Sequence, residues 1–236
     1  MKALILASGV GSRLPEWTAK TSKVLVPVNG IPLLDRMLTQ LHQAGIHDVI
    51  ITTGSFAEQV ESFVASHPLG SSMNVRFVFN PEFASTNYIV SMDYARAFLL
   101  DDDILSFHGD LIFDDVLLQR ILATQTSSVL ISEKTITDSK DFIADIAHDR
   151  VRKIGVRIEG ENLHACMPLY HIKCDDMRIW MEKIAQFVQR GERMCYAENA
   201  LNDVLLEIAL KPVFYGQEFV MEVDTPEDLL LASRYA

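Results

Sequence analysis

Cysteine is scarce in this chain. Cys166, Cys174 and Cys195 are the only three among 236 residues. An odd count at wide spacing gives neither a disulfide framework nor a C-x-x-C zinc knuckle. They read as ordinary cytoplasmic thiols. Cations are also few: Lys plus Arg is 21 against 32 for Asp plus Glu, a formal charge of −11. Nonspecific nucleic-acid binding needs clustered cations, so that partner class is set aside. An anionic membrane surface would repel the chain as well. A small anionic ligand needs only a local positive site and is not excluded. No apolar run approaches the ~20 residues of a membrane-spanning helix. The N-terminal apolar stretch is too short for a signal-peptide core, and the expected location is the cytoplasm. Repeats, low-complexity tracts and long Gly/Ser/Pro linkers are missing too.

What is present is a globular composition: 49% hydrophobic and 22% charged residues. At ~100–200 residues per domain, the length fits one large domain able to bury a full core. Residues 2–6 form a short apolar run, as a buried parallel strand does. A helix follows over 32–44, with Leu33, Leu34, Met37, Leu38 and Leu41 on one face. Gly45 stands at its stop. Strands follow at 48–53, 75–79, 104–107 and 128–132, and helices at 88–100 and 114–123. Ser55 to Glu58 reads as a capping box opening another helix. This alternation predicts a doubly wound, mostly parallel α/β sheet with ligands at the carboxyl ends of its strands. Those ends carry Ser8-Gly9, Thr53-Gly54, Asn80 and Gly109-Asp110.

The second half is less regular. A hairpin is expected from 142–147 and 151–158, then a strand at 165–172 and a helix over 175–190. Trp180 lies on the packing stripe of that helix. A second helix is expected over 199–210, short strands at 213–215 and 219–223, and a last helix opened by Pro226. The whole chain, 1–236, is expected to be one domain. Residues up to about 132 would carry the ligand-binding strand ends, and about 133–236 would complete the cleft. The Asp101-Asp102-Asp103 triplet reads as a solvated loop, and His108, the histidine to watch, as a residue for packing or for a supporting contact beside Asp110.

The most informative stretch is Leu6-Ala7-Ser8-Gly9-Val10-Gly11-Ser12-Arg13-Leu14. A strand running into a Gly-containing loop lets backbone N–H groups approach a phosphate closely. A dinucleotide fingerprint would need glycine where Leu14 stands, and a P-loop would need Gly-Lys-Ser/Thr. Neither is met, which disfavours a nicotinamide-dependent oxidoreductase. Arg13 and Lys23 instead supply two cations beside the loop, enough to neutralise a polyphosphate within an acidic protein.

Ser22-Lys23-Val24-Leu25 and Gly30-Ile31-Pro32-Leu33 complete a pattern. With the opening loop, they resemble the nucleotidyltransferases that join a nucleoside triphosphate to a phosphorylated small molecule. Ser8 replaces a small Ala or Gly of that pattern, and Ser22 replaces Pro. The resemblance spans nearly the whole chain and implies a Rossmann-like, GT-A-like sheet with a small acceptor-side hairpin and helical part. It implies Mg²⁺ held by Asp110 and by Asp224 of Glu222-Val223-Asp224-Thr225-Pro226. It places Leu6, Ala7, Ser8, Gly9, Gly11, Ser12, Thr53, Gly54, Asn80, Thr86, Asn87 and Gly109 around the nucleotide. Arg13 would neutralise the β- and γ-phosphates, and Lys23 would contact the α-phosphate and acceptor.

Among such enzymes the chain looks closest to short cytidylyltransferases acting on phosphocholine or related phospho- and phosphono-compounds. Asn80-Pro81-Glu82-Phe83, Ser85-Thr86-Asn87-Tyr88 and Gly109-Asp110-Leu111-Ile112-Phe113 carry that likeness. The expected partners are CTP and a small acceptor such as phosphocholine, an aminoethylphosphonate or a phosphorylated amino-acid amide. The alternative is a sugar-1-phosphate nucleotidyltransferase using UTP or dTTP, and a homodimer is left open. A choline head wants ring faces with nearby carboxylates. Phe142, Tyr196 and Glu198 are the acceptor-side candidates.

Overall fold

The computed structural model describes residues 1–136 and 142–235. Its first half alternates strands and helices: β1 (Lys2–Ala7), α1 (Pro15–Thr18), β2 (Pro27–Val28), β3 (Ile31–Pro32), α2 (Leu33–Gln43), β4 (Asp48–Thr53), α3 (Ala57–Ser66), β5 (Asn74–Phe79), α4 (Tyr88–Ala95), β6 (Ile104–His108), β7 (Leu111–Phe113), α5 (Asp115–Leu122) and β8 (Ser128–Thr135). The second half adds β9 (Ile143–Ala147), β10 (Arg150–Gly155), β11 (Leu163–Ile172), α6 (Cys174–Gln189), α7 (Ala197–Asn202), β12 (Lys211–Tyr215), β13 (Val220–Glu222) and α8 (Pro226–Tyr235).

One nine-stranded sheet runs through both halves in the order β10-β9-β11-β6-β1-β4-β5, with β8 pairing β11 and β12. β1 lies between β4 and β6, parallel to both. Its alternate residues explain the layering. Ala3, Ile5 and Ala7 pack into a core with α2, α3 and α5. Leu4 packs into the opposite core with α4, α6 and α7. A strand covered on both faces must be apolar throughout, as Lys2–Ala7 nearly is. The parallel order holds from β6 to β5. Beyond it, β11 runs antiparallel to β6, β8 and β9, so the sheet is mixed. Trp180 is core, 1% exposed, and donates its indole N–H to Ala197 O.

Three local readings differ from the structure. The helix after β4 has no Ser55 capping box; it starts after Phe56, which takes a left-handed φ of 57°. Gly54 explains the sharp entry, since a Cβ there would lie 2.3 Å from Ser8 O. The helix expected over 199–210 stops at Asn202. The Asn202 side chain accepts from Ile154 N at 2.8 Å and donates to Ile154 O at 2.7 Å, covering the edge of β10. The aspartate triplet is paired: Asp101 holds Lys2, Asp102 holds the N-terminal amine, and Asp103 holds Lys173.

Because Ile5 is fully buried at the centre of the sheet, Ile5→Ala is expected to remove about 3 kcal/mol of stability. Urea unfolding monitored by circular dichroism measures this.

Candidate active site

The carboxyl ends of β1 and β6 build the site. After Ala7 the chain leaves the sheet, and space is open beside Gly9. Gly11 takes φ +65°, and a Cβ on it would lie 2.6 Å from Thr18 Cγ2. The turn closes where Leu14 N and Thr18 Oγ1 donate to Gly11 O. Ser12 and Arg13 are exposed on this loop. Gly109 lets the end of β6 press onto β1, donating to Leu6 O at 2.9 Å. A Cβ there would meet Val24 Cγ1 at 2.5 Å.

Lys23 opens a single turn of 3₁₀ helix over Lys23–Leu25. Its Nζ lies 2.5 Å from Asp110 Oδ2 and 2.5 Å from Asp224 Oδ1. Arg13 Nη2 reaches the same Asp224 oxygen at 2.7 Å. Asp224 arrives there because β13 pairs with β7 and Val223 N donates to Asp110 O. Asp228 Oδ2 fixes the following turn by accepting from Asp224 N and Thr225 N. Burial would lower the Lys23 pKa, but the two carboxylates outweigh it and raise it. Burial likewise would raise Asp110, but Lys23 and His108 hold its carboxyl below the usual range.

A second group of side chains adjoins the first. His108 Nδ1 lies 2.9 Å from Glu222 Oε1. Burial opposes the imidazolium, yet the Glu222 bond and charge push the His108 pKa up to about 9. Glu222 is raised by its own burial and by neighbouring acids, with His108 opposing. The Tyr88 ring packs edge-on to His108, centroids 4.8 Å apart. Tyr196 packs on Phe142 at 5.0 Å and on Tyr88 at 5.9 Å. Behind these rings Glu198 is 2% exposed. Its Oε1 accepts from Tyr170 OH at 2.9 Å and its Oε2 accepts from Tyr88 OH. No lysine or arginine among the described residues pairs with it. Thus Phe142, more than 50 residues earlier in the chain, meets Tyr196 and Glu198 at one place.

Two cavities flank the carboxylates. One, of about 160 Å³, is lined by Leu6, Ser8, Gly9, Phe83, Thr86, Asn87, Tyr88, His108 and Asp110. The other, of about 460 Å³, is lined by residues including Arg13, Glu222, Asp224 and Thr225. Three expected nucleotide contacts stand behind the first cavity instead of facing it. Asn80 is fully buried, and its side chain bonds to Ser91, Thr86 and Glu82 N, which shapes the loop. Thr53 is fully buried, and Gly54 packs on Phe83 and Ser8. Asn87 caps α4 by accepting from Tyr88 N, while still lining the cavity.

The residues fit a divalent cation. Asp110 Oδ1 is buried with no hydrogen-bond partner. Asp224 and Glu222 add oxygen donors, the type magnesium prefers. His108, Asp110 and Glu222 bring one ligand atom each within 4.8 Å of one another. Sequence reasoning missed Tyr88 and Glu222 as site residues, had Tyr170 only as one of several aromatic candidates, and took His108 for packing or a supporting contact beside Asp110. Glu222 had a signal: in an extended segment, residues two apart share a face, so it projects beside Asp224.

A family model described as MobA-like NTP transferase domain matches residues 3–158. The CMP-5'-(3-aminopropyl)phosphonate synthase of Streptomyces rubellomurinus is 30% identical over 159 residues, 64% of this chain and 25% of its own length. The glucose-1-phosphate thymidylyltransferase of Streptomyces griseus is 34% identical over 110 residues, 47% of this chain and 30% of its own. The match covers less than half the length of each of the first curated relatives. Among solved structures, the CTP:phosphocholine cytidylyltransferase from Streptococcus pneumoniae superposes with a TM-score of 0.80 at 22% identity, covering 99% of this chain and 97% of that one. At that identity the likeness speaks to the fold.

The His108–Glu222 pair gives a pH dependence. The folded pKa of about 9 lies above the ordinary 6.5, so the stabilisation is full below pH 6.5 and is lost as pH rises toward 9. Urea midpoints measured across that window are expected to fall for the wild type and to fall less for His108→Gln.

Proposed function

We propose that this chain, which belongs to the MobA-like NTP transferase family, is a cytidylyltransferase for a small phosphorylated or phosphonate acceptor with a cationic head. The family is that of NTP transferase domains; nucleotidyl transfer, the base and the acceptor are the proposal. The observation that carries the acceptor class is Glu198. A buried carboxylate is costly unless paired. This one is fixed by two phenols beside the rings of Tyr88, Phe142 and Tyr196, with no lysine or arginine partner among the described residues. The His108 charge is already matched by Glu222. An ammonium on the acceptor would supply the missing charge and lie against ring faces. A sugar phosphate would leave Glu198 uncompensated. The phosphonate synthase among the similar proteins supports this reading. The thymidylyltransferase supports only nucleotidyl transfer in general.

The acceptor's phosphate or phosphonate oxygen, ionised at neutral pH, attacks the α-phosphorus of CTP. The bond to the β-phosphate oxygen breaks and pyrophosphate leaves with the electron pair. No general base is needed. The protein positions the reactants and neutralises charge. In this reading the backbone of residues 7–11 cradles the nucleotide, with Leu6, Ser8, Gly9, Thr86 and Asn87 around it. Arg13 meets the leaving pyrophosphate, and Lys23 meets the α-phosphate and the acceptor. Magnesium, held by Asp110 and Asp224, would draw charge from the phosphate oxygens.

The test is pyrophosphate release with Mg²⁺, pairing CTP, UTP, ATP, GTP and dTTP with candidate acceptors. Phosphocholine, phosphoethanolamine, aminoethylphosphonate, phosphorylated amino-acid amides, polyol phosphates and sugar 1-phosphates form the acceptor set. The expected result is turnover of CTP with an amine-bearing acceptor. Turnover only of UTP or dTTP with a sugar phosphate would overturn it. Lys23→Met should cost roughly 10²–10³ in rate. Glu198→Gln should raise the acceptor KM and leave the CTP KM nearly unchanged.

A further inference from the structure

We propose that Lys23 is a built-in stand-in for the divalent cation, so that the metal enters the site only together with the nucleotide. The inference rests on the reading of Asp110 and Asp224 as metal ligands. The Lys23 ammonium touches one oxygen of each, at 2.5 Å and 2.5 Å. Its side chain is only 12% exposed, and the two carboxylates are 19% and 11% exposed. Little water separates these charges, so their interactions are weakly screened. A divalent cation binding the same two side chains would stand against the ammonium at contact range. The two therefore repel each other, and each weakens the binding of the other.

Of the two cations at this point, Lys23 is the one that decides. Arg13 is 66% exposed on an open loop and can swing into solvent at small cost. Lys23 cannot withdraw by moving its backbone. Its turn is fixed where Leu25 N donates to Ser22 O and Val26 N to Lys23 O, and Val24 is buried against Gly109. Only the flexible four-carbon stem can turn. Once displaced, the ammonium needs another anion within reach. Glu222 is engaged by His108, and Glu198 by Tyr88 and Tyr170. A phosphate delivered over Gly9 and Ser8 is the anion that remains.

The exchange keeps every charge matched. Without nucleotide, the ammonium spares the two aspartates mutual repulsion. With nucleotide, the metal takes the aspartates and Lys23 moves to the phosphate. Free divalent ions then bind poorly, and metal and nucleotide raise each other's affinity by the same factor.

The experiment is Mn²⁺ binding to the nucleotide-free protein, followed by the electron paramagnetic resonance signal of free Mn²⁺. Wild type, Lys23→Met, Lys23→Gln and the double variant Lys23→Met/Asp110→Asn are compared, with circular dichroism to show that each is folded. Both single variants should bind Mn²⁺ about tenfold tighter or more than the wild type. Mn²⁺ should also raise the Tm of Lys23→Met and leave that of the wild type nearly unchanged. Equal affinity in wild type and both single variants would overturn the stand-in while leaving the metal ligands intact. Should the double variant bind as tightly as Lys23→Met, the ion lies elsewhere, and the ligand reading falls together with the proposal.

Discussion

One ammonium between two carboxylates organises this molecule. Lys23 reaches Asp110, 87 residues away, and Asp224, 201 residues away. Each partner must be brought to the same point by a different element. β1 ends beside Gly109, which needs a residue without a side chain to let β6 close on it. β13 pairs with β7 and delivers Asp224 from the end of the chain. The parallel order of β6, β1 and β4 places every one of these strand ends on one side of the sheet. That is where open α/β sheets gather their ligands.

Charge explains the division of the site. Asp110, Asp224, Glu222 and Glu198 are four carboxylates facing three cations, Lys23, Arg13 and His108. The cations stand at the glycine-rich loop and beside Asp110, where phosphate would add negative charge. The aromatic rings stand around Glu198, where a positive head would be welcome. The formal charge of −11 thus does not fix the field at the glycine-rich loop, because the local arrangement, not the total, sets it.

The parallel half of the fold was legible because a strand buried on both faces has to be apolar and short, as in Lys2–Ala7. Leu33, Leu34, Met37, Leu38 and Leu41 marked α2 by helical spacing alone. Local starts and stops were less legible. Phe56 enters α3 in a left-handed conformation, next to a Gly54 packed on Ser8 and Phe83, and neither has a local signature. Asn202 ends α7 because it serves the edge of β10, 48 residues earlier in the chain. In the site, Arg13 and Lys23 were readable as cations beside the glycine loop, and Asp110 and Asp224 from the resemblance of their segments to the nucleotidyltransferase pattern; the four converge. Asn80 braces the loop behind the first cavity, and a polar residue at a strand end looks the same in sequence whether it faces the cleft or stands behind it. Tyr170 stood out only as one aromatic among several acceptor-side candidates, and Tyr88 could not be found by pattern. Their role comes from sharing Glu198 across two elements.

The most direct test of this account is a crystal structure with Mn²⁺ and a non-hydrolysable CTP analogue, reading the anomalous signal of the metal. The account predicts a peak at the carboxylates of Asp110 and Asp224, with the triphosphate over residues 7–11 and Lys23 turned onto phosphate. A metal peak away from both aspartates, or a nucleotide bound elsewhere on the sheet, would contradict it.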